Sequence, residues 1–485
     1  MFRQLSSDST TNHRNRAKDT IYALSTHPGK AAIAIIRISG AQTRDVRCIC
    51  LFTAIYEAPL PGPRQAVLRR LWDPADPSNT LDTALCLYFA SPHSYTGEDM
   101  GELHVHGGTA VIASILSALR KLNLRMAEPG EFSRRAFAND KMDLTELEGV
   151  ADLINAETEA QRRLAVRQAQ GELHQMYEQW RVEMVKGMAM VEAYIDFSEE
   201  ENIEDGVYQA VRRQVELLEA QISRHLDDRR RGEIMRNGVL LSIVGPPNAG
   251  KSTLLNRLAQ RQVAIVSPIA GTTRDIVETT LDIGGYPVVV QDTAGLRVAN
   301  DAIEQEGIRR AVDSAKHADL RICMFDIQEL ADPGTTADEH DWDPILAMPN
   351  TFVVLNKADK IGAGNLDSAR IGMWKERLGI TNNVMTVSCS TMLGWEQLMD
   401  TLAGRIGANW ESAAAAQMPL TKARHREHLE QCLVHLEAFL RIDEDLVVLA
   451  AEELRKASNA LGRITGKTGI EDVLDALFST FCIGK

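Results

Sequence analysis

The sequence predicts a multidomain protein, α/β and α: an N-terminal α+β domain, then a helical domain into which a P-loop domain with a doubly wound, mostly parallel sheet is inserted. Three observations predict this. The apolar run Val239–Val244 breaks into a glycine-rich turn, Gly245 to Ser252, spaced G-x-x-x-x-G-K-S, before Leu254, Leu255 and Leu258 resume at helical spacing. That strand–loop–helix context is what a phosphate-binding loop requires. Strand and helix patterns alternate over residues 239–405, as in a parallel sheet. Helical periodicity flanks this block on both sides, so one helical domain in two halves, 141–235 and 406–485, accommodates it.

Composition sets limits. Of 485 residues, 25% are charged and 44% hydrophobic, the balance of a globular chain of about three domains. No apolar run has the length of a membrane span. The net charge of −14 argues against a surface that coats nucleic acid generally, so any RNA contact is local. Seven cysteines, none in a C-x-x-C pair, indicate neither a zinc site nor a disulfide frame. Residues 1–19 are a possible presequence: the first 18 carry Arg3, Arg14, Arg16 and Lys18 with one acid, Asp8, and a mitochondrial presequence and an untidy terminus fit equally.

The N-terminal domain spans residues 20–140. Thr20–Thr26 and Ala32–Ile38 read as strands around the turn His27-Pro28-Gly29-Lys30. Residues 81–90 and 102–106 continue the sheet, and Gly107-Gly108 opens a helix, Val111 to Leu122. Arg37 is the one charge in its strand; a guanidinium there requires an ion pair or an anionic ligand. His104 and His106 share a strand face without further metal ligands in the sequence, which favours packing or surface roles. Beyond it, Leu173, Met176, Tyr177, Trp180 and Met184 form one stripe of a long helix. Residues 208–226 are a second amphipathic helix, Arg229 to Arg231 a basic linker, and Leu429, Leu433, Leu436 and Leu440 a stripe in the second half.

The P-loop domain, 236–405, carries the strands 239–244, 287–291, 320–325, 351–355 and 384–388. In its first loop, Asn248, Ala249, Gly250, Lys251, Ser252 and Thr253 form the phosphate cradle, with Lys251 for the β- and γ-phosphates and Ser252 for Mg²⁺. Asn356-Lys357-Ala358-Asp359 follows a strand, and this N-K-x-D order selects guanine. The Asp359 carboxylate accepts two hydrogen bonds from the ring N–H and exocyclic amine, a donor pair that adenine lacks. Asn356 supports base and loop, the Lys357 stem packs on the ring, and Ser388-Cys389-Ser390 offers a backbone amide to O6. Asp292-Thr293-Ala294-Gly295 is the D-x-x-G switch: Asp292 holds Mg²⁺ through water and the Gly295 amide senses the γ-phosphate. Gly271-Thr272-Thr273-Arg274-Asp275 is the other switch, its Thr273 hydroxyl on Mg²⁺. Together these elements spell GTP binding and hydrolysis. Leu296 follows Gly295 where other GTPases orient water with glutamine, so another group performs that task. Arg297 and Glu304 lie just beyond, ordinary surface charges on their residue types alone.

With these motifs, Pro129-Gly130-Glu131-Phe132-Ser133, Asn139-Asp140-Lys141 and the closing Phe481-Cys482-Ile483-Gly484-Lys485, the chain closely resembles the MnmE (TrmE) family of tRNA-modification GTPases from Thr20 to Lys485. The resemblance implies a Ras-like GTPase domain and an N-terminal domain that dimerises and binds a tetrahydrofolate derivative, 5-formyl or 5,10-methylene. Arg37, Glu102, Lys141 and Lys485 match its folate contacts, which moves Arg37 toward the ligand reading. Cys482 falls near the folate and could be a nucleophile.

The same resemblance implies hydrolysis on dimerisation of the nucleotide domains with K⁺ across the phosphates. Asn248 matches a K⁺ ligand; Ser267, Ile269 and Thr272 match the loop around it, and Glu304 matches the residue that orients the hydrolytic water. Lys251, Arg274 and Arg297 complete the charged groups expected around the reacting phosphates. A flavin-dependent partner protein, a homodimer and tRNA as substrate follow from the family, for an aminomethyl-type group at C5 of the wobble uridine. Two departures are His27 in place of a proline and Cys389 in place of an alanine. The Thr20–Thr26 opening looks like fungal mitochondrial members, which implies the mitochondrial matrix; a bacterial source would imply the cytoplasm. The nucleotide domain alone fits a second class equally well: a GTP-dependent ribosome-assembly or switch factor without chemistry of its own.

Overall fold

The computed structural model of the chain describes residues 19–44, 62–197, 206–228, 230–261, 278–291, 312–331, 342–361, 372, 374–376, 384–414, 418–468, 477–478, 481 and 484. They fall into two compact units.

The first unit combines described residues of 1–151, 169–185 and 458–485. Its sheet contains β1 (Ile21–Leu24), β2 (Ile33–Ser39), β3 (Val67–Asp73), β4 (Asp76–Phe89), β5 (Met100–His106) and β6 (Arg125–Met126), in the order β3-β4-β5-β2-β1-β6. β1 and β2 are the antiparallel pair expected around the Pro28-Gly29 turn. Alternation assigns the two faces. Tyr22, Ile36, Ile38, Leu103 and Val105 point into a core completed by Ile112, Ile115, Ala118 and Leu119 of the helix Thr109–Lys121. On the other face, Leu68 opposes Leu85, Leu85 opposes His104, and His104 opposes Ile35; Glu102 lies between Leu87 and Arg37 in the adjacent row. β3 and β6 are absent from the sequence reading: Arg69 and Arg70 spoil the alternation of β3, and β6 has only two residues.

The helix Leu144–Ile154 starts at a capping box: Asp143 Oδ1 accepts the Glu146 amide at 2.8 Å, and Glu146 Oε2 accepts the Asp143 amide at 2.8 Å. Leu173, Tyr177, Trp180 and Met184 are buried along the helix Glu172–Phe197, as the stripe predicted, while Met176 at its margin is only half-buried. Each such side chain contributes roughly 1.5–3 kcal/mol of burial. Phe478 and Phe481 join Leu147 in a small core. Ser25 Oγ donates to the Gly484 carbonyl at 3.0 Å.

The second unit combines described residues of 152–168 and 186–457. Its sheet contains β7 (Val239–Val244), β8 (Glu278–Ile283), β9 (Tyr286–Gln291), β10 (Leu320–Asp326), β11 (Thr351–Asn356) and β12 (Val384–Thr386), in the order β12-β11-β10-β7-β9-β8. Every pairing is parallel except β8 with β9. This is the expected mostly parallel, doubly wound sheet. All of β10 and β11 is buried, as central strands covered on both faces must be. β8 escapes the sequence reading because Glu-Thr-Thr-Leu-Asp-Ile is half polar, suited to an edge. Leu254 and Leu258 of the helix Lys251–Arg261, with Leu398, Leu402 and Ile406 of the helix Trp395–Ala414, close the core.

The helices Val207–Leu226 and Ala423–Arg441 bury Val211, Val215, Leu218 and Ile222 on one, and His425, Leu429, Cys432, Leu436 and Phe439 on the other. The second stripe is therefore rotated from the expected one: Cys432 and Phe439 are inside, and Leu433 and Leu440 only half-buried, because a thiol and a phenyl ring pack as well as leucine.

Candidate functional site

The turn after β7 has the backbone a phosphate cradle needs. Gly245 and Gly250 take φ of 141° and 103°; a Cβ on Gly245 would lie 2.1 Å from the Met324 carbonyl oxygen, and one on Gly250 2.1 Å from Asn356 Nδ2. Only glycine fits either place. Lys251 Nζ folds back and donates to the carbonyls of Gly245 and Pro246, each at 2.7 Å. Burial pushes its pKa below the ordinary lysine value. Lys251 and Ser252 begin the helix Lys251–Arg261, whose free N–H groups and dipole favour an anion.

The base loop comes from the carboxyl ends of β11 and β12, the usual ligand edge of such a sheet. Asn356 Nδ2 donates to the Ala249 carbonyl at 2.8 Å, and Asn356 Oδ1 accepts the Cys389 amide at 3.1 Å. Lys357, at φ 63°, pairs with buried Asp326 at 2.5 Å. The Asp359 carboxyl is held below its ordinary pKa, chiefly by a hydrogen bond from Ser388; Ser390 Oγ reaches it at 3.4 Å. Asp359 is therefore an ionised acceptor at neutral pH. Burial pushes the Cys389 thiol up to about 11, so it fills space as the protonated thiol.

These groups share one cavity of about 510 Å³, lined by Asn248, Gly250, Lys251, Ser252, Thr253, Asn356, Lys357, Asp359, Lys360, Cys389 and Ser390. The cavity thus joins the glycine-rich turn after β7 to the loops that follow β11 and β12. Ala249, fully buried, supports the loop from behind. Ser388 is buried and organises the base loop, where its hydroxyl meets Ser390 Oγ at 2.9 Å. Lys360, Asp326 and Arg257 belong to the site without having been singled out in the sequence. Ser267, Ile269, Thr272, Thr273, Arg274, Asp292, Gly295, Leu296, Arg297 and Glu304 lie outside the described residues.

A second cavity, of about 400 Å³, opens on the sheet of the first unit and is lined by Arg37, Arg64, Phe89, His93, Ser94, Tyr95, Met100, Glu102 and Lys141. Arg37 Nε meets Glu102 Oε1 at 2.9 Å, His104 Nε2 meets Glu102 Oε2 at 3.3 Å, and the Arg37 guanidinium carbon lies 5.5 Å from the Tyr95 ring centre. Arg37 thus has the ion pair that a charge in its strand requires, and it also lines this cavity. His106 pairs with Asp82 at 2.7 Å on the surface.

The signature from Pro129 to Lys141 builds this wall. Gly130 has φ 69° and backs onto the Phe478 carbonyl; Glu131 pairs with Arg125 at 2.5 Å; Ser133 Oγ shares a 2.8 Å hydrogen bond with Tyr95. Asn139 Nδ2 donates to the Thr96 carbonyl at 2.7 Å, which fixes the turn carrying Lys141. Tyr95, Arg64 and His93 were missed in the sequence; no motif marks them. Cys482 and Lys485 lie outside the described residues.

Comparison with known proteins agrees with this geometry. The chain matches the family models described as MnmE helical domain, over residues 144–482, and GTP-binding protein TrmE N-terminus, over residues 20–141. It is 48% identical to a tRNA modification GTPase MnmE of Parvibaculum lavamentivorans over 471 residues, 96% of this chain and 100% of that protein. It is 42% identical to a mitochondrial 5-taurinomethyluridine tRNA synthase subunit of Danio rerio, over 96% of this chain and 93% of that one. Among solved structures, Era of Aquifex aeolicus bound to GDP and aluminium fluoride is 32% identical over 34% of this chain and 56% of that chain, with a TM-score of 0.27. With a phosphate loop and an N-K-x-D base loop in one cavity and relatives matched along nearly the whole length, the chain belongs to the MnmE family of tRNA-modification GTPases and is itself a GTPase.

Proposed function

We propose that this GTPase acts as a K⁺-dependent homodimer that, with a flavin-dependent partner protein, installs an aminomethyl-type group at C5 of the wobble uridine of certain tRNAs, taking the carbon from a tetrahydrofolate derivative. The single observation that carries this reading is the coexistence of two cavities of different chemistry in one chain. A bare GTP switch needs only the first.

In the first cavity Asp359 and Asn356 select guanine, Lys251 exchanges its carbonyl partners for phosphate oxygens, and the helix start receives the β-phosphate. Ser252 with Thr273 and Asp292 would hold Mg²⁺; Asn248 with Ser267, Ile269 and Thr272 would hold K⁺, and these cations supply positive charge to the phosphates. Asn248 stands at φ 59° and lines the cavity, which suits a side-chain ligand. Glu304 orients the water, with Arg274, Arg297 and the Gly295 amide around the phosphates. In the second cavity Arg37 and Lys141 bind the carboxylates and Glu102 the N–H edge of a pterin, beside the Phe89 and Tyr95 rings; Lys485 is assigned to the same ligand by the family motif alone. Cys482 is assigned to that donor on the same ground. Ile33 and Leu68, 61% and 68% exposed on the face away from the helix Thr109–Lys121, support a dimer through this unit. We divide the chain at 20–140, 141–235, 236–405 and 406–485, and place it in the mitochondrial matrix, in keeping with its basic start and the Danio rerio relative.

The test is nucleoside analysis of mitochondrial tRNA from a deletion strain, with the gene restored as wild type or as Glu304→Ala. Loss of the C5 wobble modification, regained only with the wild type, is expected; its mass identifies the amine added. Intact tRNA with defective ribosomes would overturn the reading. In vitro, Na⁺ in place of K⁺ should slow GTP turnover strongly while binding persists.

A further inference from the structure

Arg257 sits on the helix that begins with Lys251, on a turn that reaches no phosphate. Its Nε donates to the Cys389 carbonyl at 3.1 Å, across 132 positions of sequence. The other side of the same residue is also held, since the Cys389 amide donates to Asn356 Oδ1 at 3.1 Å. Both peptide groups of Cys389 are thereby fixed, one from β11 and one from the phosphate-loop helix. In a trans peptide the C=O of one residue and the N–H of the next point in opposite directions. Holding the Cys389 carbonyl toward Arg257 turns the Ser390 N–H away from it, and Ser390 lines the nucleotide cavity. With the Cys389 amide already engaged, the Ser390 amide is the backbone donor left to meet a carbonyl on the six-membered ring of the base.

We propose that Arg257 is a positioning residue for base recognition: it aims the Ser390 amide at the guanine O6 and couples that contact to the helix carrying Lys251 and Ser252. The inference rests on the reading of Asn356–Asp359 and Ser388–Ser390 as the guanine-binding loops. It separates two contacts that a base makes. Asp359 reads the ring N–H and exocyclic amine; the Arg257-oriented amide reads O6. The donor is a guanidinium, so the tie is worth more than a neutral hydrogen bond.

The experiment measures binding of four diphosphates to the full-length protein: GDP, IDP (no exocyclic amine), 6-thio-GDP (sulfur, a weak acceptor, at the O6 position) and ADP. For Arg257→Ala we expect GDP affinity to fall about tenfold, the worth of one charge-assisted hydrogen bond. The GDP to 6-thio-GDP ratio should collapse toward one while the GDP to IDP ratio is kept. Arg257→Lys, which still presents a cationic donor, should restore part of the first ratio. A general loosening of the site would lower both ratios together, and that result overturns the proposal, as does an Arg257→Ala protein with both ratios unchanged. A wild type that fails to prefer GDP over ADP would instead overturn the guanine reading itself. Thermal melting of each variant checks that it is folded.

Discussion

The side-chain amide of Asn356 donates to the Ala249 carbonyl at 2.8 Å, with 107 positions of chain between the two residues. Through this bond the strand end that precedes Asp359 is fastened to the glycine-rich loop that precedes Lys251. A shift of one loop relative to the other therefore costs this buried hydrogen bond.

Gly250 is where this fastening is most exposed to substitution. A methyl group there would lie 2.1 Å from Asn356 Nδ2, on a backbone at φ 103°. Gly250→Ala should lower GTP affinity by roughly 100-fold or more, through both backbone strain and the displaced amide. Gly404 is the contrast: it lies in the helix Trp395–Ala414, and nothing is within 4 Å of an added Cβ. Gly404→Ala should leave nucleotide binding intact and stabilise the protein by about 0.5–1 kcal/mol. Fluorescent-nucleotide titration and chemical denaturation read the two effects.

Asp359 is the proposed reader of the base. Asp359→Asn replaces an acceptor pair with one acceptor and one donor, which suits xanthine. Preference should move from GTP toward xanthosine triphosphate by about 100-fold or more. Competition binding with both nucleotides checks it; an unchanged preference would contradict the guanine assignment.

Arg37 tests the second cavity. Its guanidinium is shared between Glu102 and the cavity mouth beside Tyr95. Arg37→Ala should weaken binding of 5-formyltetrahydrofolate by about 10–100-fold, with Arg37→Lys between it and wild type. GTP turnover by the same variants should be unaffected. Calorimetric titration gives the first quantity and phosphate release the second.

His225 sets an acid limit. Burial, followed by the neighbouring charges of His425 and Arg426, lowers its pKa to about 4. The unfolded chain takes up a proton near pH 6.5, where the folded one does not. The stability due to the neutral ring is therefore complete above about pH 6.5 and lost as pH falls toward 4, up to about 3 kcal/mol. His225→Gln should flatten that part of the denaturation-midpoint profile; a profile as steep as the wild type would rule His225 out as the cause.

What was legible in the sequence is what is local. The phosphate loop and the Asn356–Asp359 turn are each fixed by neighbours in the chain, so their residue types announce them. β10 and β11 were visible because strands covered on both faces are continuously apolar. β8 was not, because an edge strand keeps its polar half. Arg257, Asp326, Arg64 and Tyr95 were invisible for a different reason: each matters only through a partner far away in sequence, and an arginine on a helix looks like any solvated charge. The exchange of Leu433 for Cys432 in the buried stripe has the same origin, since a periodicity argument counts leucines and the core counts volume.

The bond from Ser25 to the Gly484 carbonyl has a consequence for biosynthesis. A ribosome makes residue 484 a full 459 positions after residue 25. Phe478 and Phe481 arrive equally late to cover Leu147. Until then the helix Leu144–Ile154 keeps the apolar patch around Leu147 uncovered, so this unit is completed only after the nucleotide domain has been made. Chaperone dependence of newly made protein should accordingly track truncation of residues 478–484 more closely than any change in the nucleotide domain.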